Sequence, residues 1–336
     1  MGDRIQIALI GCGSRGPAHA QAVRELVEFE LVAVCDVEES RAKAAAEKFG
    51  VQAYTDLTRL LARPGLEALM ISTHTPHHAS VALPAIAAKK HFVMEKPLCD
   101  SVQSGKRMEA EAAKAGLVGM TGYQRVFMAA NRDFIRLAQE IDPLQVTLTS
   151  QRGFFQPQYF FRENYGGIMD ALTHDIDIGL RAAGGEPTSV FAQIRRGVFR
   201  PEKGAIEFVN ILVDLRRDGQ TAMANFSGSM GCPKPKNVFQ AVGRGGFVVS
   251  AGHGEIVCVR HKGFRQNKEM IDPKEEIITP PNDAKDALKR LYLNFAKTIR
   301  GEEQNQSTLR HGLRALAVGE AAVQSAESGQ RVEVSL

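Results

Sequence analysis

A glycine-rich loop between an apolar run and a helical pattern constrains the fold of this chain more than any other feature. The loop, Gly11-Cys12-Gly13-Ser14-Arg15-Gly16, follows the apolar run 5–10 and precedes a helical pattern over 18–27. In a loop of this form the first glycine allows a tight turn, the second lets the backbone approach a diphosphate, and the third lets the helix pack closely on the strand. The helix N-terminus adds free N–H groups and a positive dipole. We therefore predict that these six residues bind a dinucleotide.

An acidic residue follows at the spacing that this kind of site requires. Asp36 ends the next apolar run, 20 residues after Gly16, where a carboxylate accepts hydrogen bonds from the adenosine ribose. The same carboxylate repels a 2′-phosphate, and residues 37–39 contain no arginine that would hold one. The predicted cofactor is thus NAD, with NADP less favoured, and Arg41 is the residue that would reverse this preference by turning inward.

The first part of the chain alternates between short apolar runs and longer helical patterns. The runs are 5–10, 31–35, 68–72, 92–94 and 117–120, and the helical patterns are 18–27, 39–49, 79–88 and 102–115. Consecutive apolar residues are typical of strands covered on both faces, and strand–helix alternation favours a doubly wound parallel sheet. The prediction for residues 1–122 is an α/β Rossmann domain that binds NAD(P).

From Tyr123 the pattern changes to a helix followed by strands with short turns between them. Short turns favour antiparallel pairing, so residues 123–336 are predicted to form an α+β domain with an open, mainly antiparallel sheet. The total length of 336 residues suits two domains.

Composition excludes several classes of partner. The chain has 42 basic and 38 acidic residues, a formal net charge of +4, which gives no reason to expect binding to nucleic acid or to a membrane surface. Its five cysteines form no Cys-x-x-Cys pair, so neither a zinc site nor a disulfide framework is predicted. The histidines near position 77 lack acidic neighbours, and no metal is expected. With no secretion signal at its start, the chain is expected to be cytoplasmic.

A second informative segment joins a strand to an ion pair and a proline. His91-Phe92-Val93-Met94 runs into Glu95-Lys96-Pro97, and Pro97 ends the strand because it has no N–H to donate. Lys96 would then point into the crevice where doubly wound sheets bind ligands. The alternative interpretation is an ordinary Glu–Lys pair on the surface.

A third segment places a histidine among carboxylates on one predicted helix. Asp170, His174 and Asp177 stand at i, i+4 and i+7 and therefore share a face, while Leu172 and Ile176 would face the core. A histidine one turn from a carboxylate is suited to acid–base chemistry. An ordinary surface His–Asp pair is the alternative.

Together these segments resemble the Gfo/Idh/MocA family, the glucose–fructose oxidoreductase and inositol dehydrogenase group. The resemblance rests on the glycine loop, on Glu95-Lys96-Pro97, on Thr73-His74-Thr75-Pro76-His77-His78 and on Gly166-Gly167 with Asp170, His174 and Asp177. It implies that Lys96, Asp170 and His174 are catalytic. It also implies cofactor contacts beyond the glycine loop and Asp36, namely Ser72, Thr73, His74, His78, Glu95, Lys96 and Pro97. Two departures are His74, where the family usually has proline, and Leu172, where many members have glycine, which is expected to narrow the substrate range.

The function implied is NAD-dependent oxidation of a secondary alcohol of a sugar or cyclitol, a small polyhydroxylated substrate. Substrate contacts are assigned by position to Lys96, Tyr123, Arg125, Arg152, Tyr159, Tyr165, Asp170, His174 and Asp177. One alternative is a redox-neutral epimerase or glycoside-cleaving enzyme that works through a transient ketone. Another is a non-catalytic, NAD-binding regulatory protein. The resemblance also implies that residues 123–336 bind substrate and mediate oligomerisation, with the catalytic site between the two domains. A homodimer or homotetramer is therefore expected.

Overall fold

A computed structural model describes residues 4–153, 168–199, 206–251, 254–266 and 268–336, without the side chains of Ile168 and Met169. The chain divides into two compact units. Unit 1 comprises Met1–Phe127 and Lys285–Leu313, and unit 2 comprises Met128–Ala284 and Arg314–Leu336.

Unit 1 contains a six-stranded sheet with the strand order β3-β2-β1-β4-β5-β6, and all of its neighbouring strands are parallel. The strands are β1 (Ile5–Ile10), β2 (Phe29–Cys35), β3 (Gln52–Tyr54), β4 (Ala68–Ile71), β5 (His91–Met94) and β6 (Gly119–Thr121). The helices between them are α1 (Gly16–Arg24), α2 (Glu39–Phe49), α3 (Leu57–Leu61), α4 (His78–Ala87) and α5 (Val102–Lys114). The predicted Rossmann sheet is confirmed.

The strand order of this sheet reverses between β1 and β4, and this reversal locates a ligand crevice. The loop after β1 begins at Gly11 and the loop after β4 begins at Ser72, so both loops leave the same edge of the sheet. Ligands of doubly wound sheets bind at such a switch point, beyond the carboxyl ends of the strands. Apart from Gln6, the residues of β1 and β4 are apolar, and Ile7, Leu9 and Leu69 are fully buried.

The segment Lys285–Leu313 belongs to unit 1 although residues Met128–Ala284 of unit 2 precede it in sequence. It contains α8 (Ala287–Ile299). The Phe295 ring of α8 stacks on the Phe29 ring with centroids 6.3 Å apart, and the Tyr292 ring meets Phe29 edge-on at 6.1 Å. The predicted boundary at residue 122 left this segment with the second domain, because an apolar helix face does not show in the sequence which surface it covers.

Unit 2 contains a nine-stranded sheet with the order β14-β13-β12-β11-β7-β10-β9-β8-β15, in which the β7–β10 pair is parallel and the other pairs are antiparallel. Its strands are β7 (Pro143–Gln151), β8 (Glu186–Arg196), β9 (Ile206–Arg217), β10 (Gln220–Ser229), β11 (Lys236–Gly243), β12 (Gly246–Ala251), β13 (Ile256–Arg260), β14 (Lys274–Ile278) and β15 (Val332–Glu333). The helices are α6 (Ala129–Glu140) and α7 (Ile168–Ala183), and α9 (Leu309–Ser328) follows near the end of the chain. The predicted mainly antiparallel sheet is confirmed.

Close packing on this sheet fixes the position of α7. A Cβ atom at Gly179 would lie 2.5 Å from the Phe226 ring, so glycine is what allows the helix to approach β10 so closely. Leu172, Ile176 and Leu180 are buried, as predicted from their spacing. The opposite side of the helix, which carries Asp170 and His174, is thereby set in a defined orientation.

Candidate active site

Each of the three loop glycines is required for a different local reason. Gly11 has a φ of +90°, and a Cβ atom there would lie 2.5 Å from the Ser72 carbonyl oxygen. A Cβ atom at Gly16 would lie 2.2 Å from the Gly11 carbonyl oxygen, so α1 could not pack as it does. At Gly13, by contrast, no heavy atom of the described residues lies within 4 Å of the Cβ position. The backbone at Gly13 therefore faces open space, as a backbone that approaches a diphosphate must.

Both carboxylate oxygens of Asp36 are fixed by the main chain. The N–H of Cys12 donates to Oδ2 at 2.8 Å, and the N–H of Glu38 donates to Oδ1 at 2.9 Å. The Arg41 guanidinium forms an ion pair with the Glu38 carboxylate at 3.0 Å. It is therefore directed to Glu38 and not to Asp36. Burial and the charge of Asp36 raise the pKa of the Cys12 thiol to about 12, so this loop cysteine is a neutral spacer.

The loop after β4 presents two buried hydroxyl groups. The main chain of Ser72 is fixed by its N–H, which donates to the Ile10 carbonyl at 2.7 Å. Among the described residues, Ser72 Oγ and Thr73 Oγ1 are buried and have no hydrogen-bond partner. Buried hydroxyls in proteins are normally hydrogen-bonded, so this pair suits a polar ligand in the crevice. His74 follows them and is exposed.

His78 ties this loop to the segment after β5. Its Nδ1 faces the carbonyl oxygens of Pro97 and Leu98 at 3.0 and 3.2 Å, and its Nε2 faces the Thr73 carbonyl at 3.1 Å. Burial lowers the pKa of His78, although the three carbonyl oxygens around the ring act in the opposite direction. His78, predicted as a cofactor contact, lies between the loop after β4 and the segment after β5.

Lys96 stands between a fully engaged carboxylate and a cis proline at the end of β5. The Glu95 side chain accepts a hydrogen bond from the Lys96 N–H at 3.0 Å. The Lys96–Pro97 peptide bond is cis. Lys96 itself is half-buried at the carboxyl edge of the sheet, where Gly122 N–H donates to the Met94 carbonyl at 2.6 Å. The structure thus places Lys96 at the edge of the sheet where the glycine loop also lies.

Glu95 collects further donors that sequence reasoning missed. Arg15 Nε donates to Oε1 at 3.2 Å, and His19 Nε2 lies 2.7 Å from the same oxygen. Burial alone would raise the pKa of Glu95, but the hydrogen bond and the coulombic interaction with His19, together with the charges of Arg15 and Lys96, outweigh it and lower that pKa. His19 Nδ1 in turn lies 2.6 Å from the Tyr292 hydroxyl. The available signal for His19 was its place one helical turn after Gly16, but nothing pointed to Tyr292.

In unit 2, Asp170 and His174 share one side of α7. Asp170 lies in the first turn of the helix, where a carboxylate is stabilised by the helix dipole. His174 follows four residues later, and both side chains are half-buried. This arrangement suits proton transfer by His174 with Asp170 as its neighbour.

Two predicted substrate contacts of unit 2 have partners within the protein. Asp177 is buried and accepts hydrogen bonds from Arg181 Nε at 2.9 Å through both oxygens. Burial raises the pKa of Asp177 in spite of this arginine. Arg152 lies 3.5 Å from Asp175, a fully buried carboxylate beside His174. The Arg152–Asp175 pair links the residue after β7 to the middle of α7, whereas Asp177 and Arg181 both lie on α7.

The remaining predicted substrate contacts differ in burial, and two of them lie outside the described residues. Tyr123 is fully buried and Arg125 is half-buried. Tyr159 and Tyr165, together with Gly166 and Gly167, lie outside the described residues.

The described residues contain neither a metal-binding cluster nor a membrane-spanning helix. Within those ranges, no group of three or more His, Cys, Asp or Glu side chains is arranged to hold a metal ion. None of the helices described has the length and apolar character needed to cross a membrane.

Both parts of the chain match domains of one family. Residues 5–123 match the Gfo/Idh/MocA N-terminal domain, described as an oxidoreductase family with an NAD-binding Rossmann fold. Residues 141–334 match the C-terminal alpha/beta domain of the same family.

Three similar proteins span different shares of the chain. Myo-inositol 2-dehydrogenase of Thermotoga maritima is 31% identical over 56% of this chain, and the match spans 58% of that protein. D-apiose dehydrogenase of Paraburkholderia graminis is 25% identical over 98% of this chain and 90% of that protein. An NAD-binding oxidoreductase from Klebsiella pneumoniae superposes with a TM-score of 0.84 at 22% identity, covering 99% of this chain and 100% of the other, which shows a shared fold.

Proposed function

Because the chain belongs to the Gfo/Idh/MocA family of oxidoreductases, with an NAD-binding Rossmann domain, we propose that it oxidises a secondary alcohol of a sugar or cyclitol with NAD. The observation that supports this most is the position of Lys96 at the same sheet edge as the glycine loop. The family relationship supplies the second half of the site, Asp170 and His174 on α7.

The residues of unit 1 fit the cofactor. The open space at Gly13 suits the diphosphate, and the fixed Asp36 carboxylate suits two ribose hydroxyls. The buried hydroxyls of Ser72 and Thr73 supply polar partners beyond the end of β4. The negative charge of Asp36 and the engagement of Arg41 with Glu38 favour NAD over NADP. NAD, when bound, supplies the acceptor for a hydride.

In the proposed reaction, His174 accepts the substrate proton and Lys96 stabilises the developing negative charge. In the proposal, a ring nitrogen of His174 takes the proton from the substrate hydroxyl while Asp170 orients the ring. The Lys96 ammonium donates a hydrogen bond to the same oxygen and stabilises the negative charge that grows there as the hydride leaves the carbon. Holding these groups in place is worth more than any single contact.

The substrate class comes from the relatives and from the donor set. Two relatives are an inositol dehydrogenase and an apiose dehydrogenase, and inositol and apiose are polyhydroxylated compounds. A site with one lysine, one histidine and carboxylates suits a neutral polyol, because each group has a hydroxyl to bind. We propose a sugar or cyclitol as the substrate.

The test is a panel of sugars, inositols and amino sugars with NAD and NADP, followed by NADH absorbance. With the best substrate, Lys96→Ala combined with His174→Gln should lower kcat at least about a hundredfold, the range for losing a general base, while NAD still binds. The matched control is Lys114→Ala, an exposed lysine of α5, which should keep the wild-type rate. Wild-type turnover by the double variant, or no polyol oxidised by the wild-type protein, would contradict the proposal.

A further inference from the structure

We propose that Tyr292 and His19 are positioning residues that hold Glu95, and through it Lys96 and Arg15, in the geometry that the site requires. The inference concerns residues outside the motifs that identify the family, and it rests on the proposed dehydrogenase function. All five residues lie in unit 1.

The centre of the arrangement is the Glu95 carboxylate, 7% exposed. It faces the Arg15 guanidinium, the His19 ring, and the main-chain N–H and charge of Lys96. Water cannot readily replace a lost donor at a buried carboxylate, so each donor also determines where the carboxylate lies. Arg15 belongs to the glycine loop and Lys96 ends β5, so one side chain fixes two predicted parts of the site.

The hydrogen bonds run from Glu95 through His19 to Tyr292. The ionised Glu95 carboxylate accepts only, so His19 Nε2 donates to it at 2.7 Å. The other ring nitrogen, Nδ1, lies 2.6 Å from the Tyr292 hydroxyl, which is within hydrogen-bond distance. Burial raises the pKa of Tyr292 well above its ordinary value, so the phenol stays protonated. Tyr292 thereby holds the ring whose Nε2 serves Glu95.

The surroundings of Tyr292 show that its hydroxyl, and not its ring alone, is used. The ring packs edge-on against Phe29 and His19 in a core that also holds Phe295. A phenylalanine would satisfy those ring contacts equally well. The hydroxyl adds a polar atom to a fully buried site, which is favourable because it meets His19.

Tyr292→Phe tests the inference because it deletes the hydroxyl and keeps the ring. We expect kcat to fall about tenfold with less than about a twofold change in the alcohol KM, since misplacing a catalytic group affects the chemical step. The Kd of NAD, measured by calorimetry without alcohol, should rise about threefold because Arg15 loses its fixed position. His19→Leu should have larger effects of the same kind, and His19→Gln, which keeps an N–H donor, should recover part of them.

Tyr54→Phe is the matched control. It deletes an exposed hydroxyl that donates to Gln52 at 2.9 Å and should leave kcat and the Kd of NAD unchanged. A second readout is the tautomer of His19 in the wild-type protein, by nitrogen-15 NMR, which is expected to show the proton on Nε2.

Two results would overturn the inference. One is a Tyr292→Phe protein with the wild-type Kd for NAD, and the other is a His19 ring without a proton on Nε2 in the wild type. If the wild-type protein binds NAD but oxidises no alcohol, the proposed function fails, while the Kd of NAD and the protonation of Nε2 still decide whether Tyr292 and His19 hold Glu95. The NMR measurement on the wild type also decides this if the variants do not fold.

Discussion

The Cys12 main-chain N–H donates to Oδ2 of Asp36 over 2.8 Å, so the glycine loop and the end of β2 are fixed to each other. The second carboxylate oxygen is held by the Glu38 N–H at 2.9 Å. The carboxylate that is proposed to bind the ribose is therefore hydrogen-bonded to the loop that is proposed to bind the diphosphate.

Asp36→Asn should weaken NAD binding about tenfold or more. The amide places an NH2 group against the N–H of either Cys12 or Glu38, so one main-chain donor loses its acceptor. The loss of negative charge should at the same time narrow the preference for NAD over NADP. Calorimetric Kd values for both cofactors test this, with Asp56→Asn as a control, because that exposed carboxylate caps α3. Equal NAD affinity in Asp36→Asn and the wild type would contradict the assignment.

Gly13→Ala and Gly16→Ala should fail in different ways. The Cβ atom at Gly13 enters open space, so the protein should fold with an unchanged Tm, while its NAD affinity falls about tenfold or more because the methyl occupies the predicted diphosphate position. The Cβ atom at Gly16 meets the Gly11 carbonyl and should cost about 1–3 kcal/mol of folding free energy. Thermal melts and NAD titrations of both variants separate the two effects. A lowered Tm in Gly13→Ala with normal NAD affinity would refute the assignment.

Glu95 should make the free energy of unfolding depend on pH in the acid range. Its folded pKa is lowered, so its contribution is present above the unfolded-state pKa of about 4.3 and is lost as the pH falls through the lower folded value. Removing one partner of a buried ion pair costs about 3–5 kcal/mol, so Glu95→Gln should lose stability of this order at pH 7 and less in acid.

Urea unfolding of the wild type and Glu95→Gln across the acid range measures this difference. The control is Glu47→Gln, an exposed glutamate of α2, which should follow the wild-type curve. A difference between wild type and Glu95→Gln that stays constant with pH would show that the charge of Glu95 is not the cause.

Leu172→Ala should destabilise unit 2. The Leu172 side chain is fully buried on α7, and a leucine-to-alanine cavity costs about 2–5 kcal/mol. Leu144→Ala, at a leucine of β7 that is 36% exposed, should cost less than about 1 kcal/mol. Denaturant unfolding compares the two variants. Equal losses would show that Leu172 does not carry core packing, and an unchanged substrate range in Leu172→Ala would count against the predicted narrowing.

Structural features with local physical causes could be predicted from the sequence alone. Gly11 and Gly16 stand where a Cβ atom would meet the main chain, and their spacing to Asp36 sufficed to predict a loop between a strand and a helix, with Asp36 at the end of the second strand. Consecutive apolar runs sufficed to predict the parallel sheet, because strands buried on both faces have no polar side. The helical spacing of Leu172 and Ile176 likewise predicted the buried face of α7.

Contacts between side chains that are distant along the chain could be identified only in the folded structure. His19 and Tyr292 are 273 positions apart, yet their side chains meet at 2.6 Å. The apolar face of α8 shows that this helix is covered, but not that unit 1 covers it. Arg152 was predicted to hold substrate, and the structure shows a nearby buried carboxylate, Asp175, that pairs with it. Hydrogen-bond partners depend on how elements pack in space, and the pattern of apolar residues specifies that a helix packs without specifying against what.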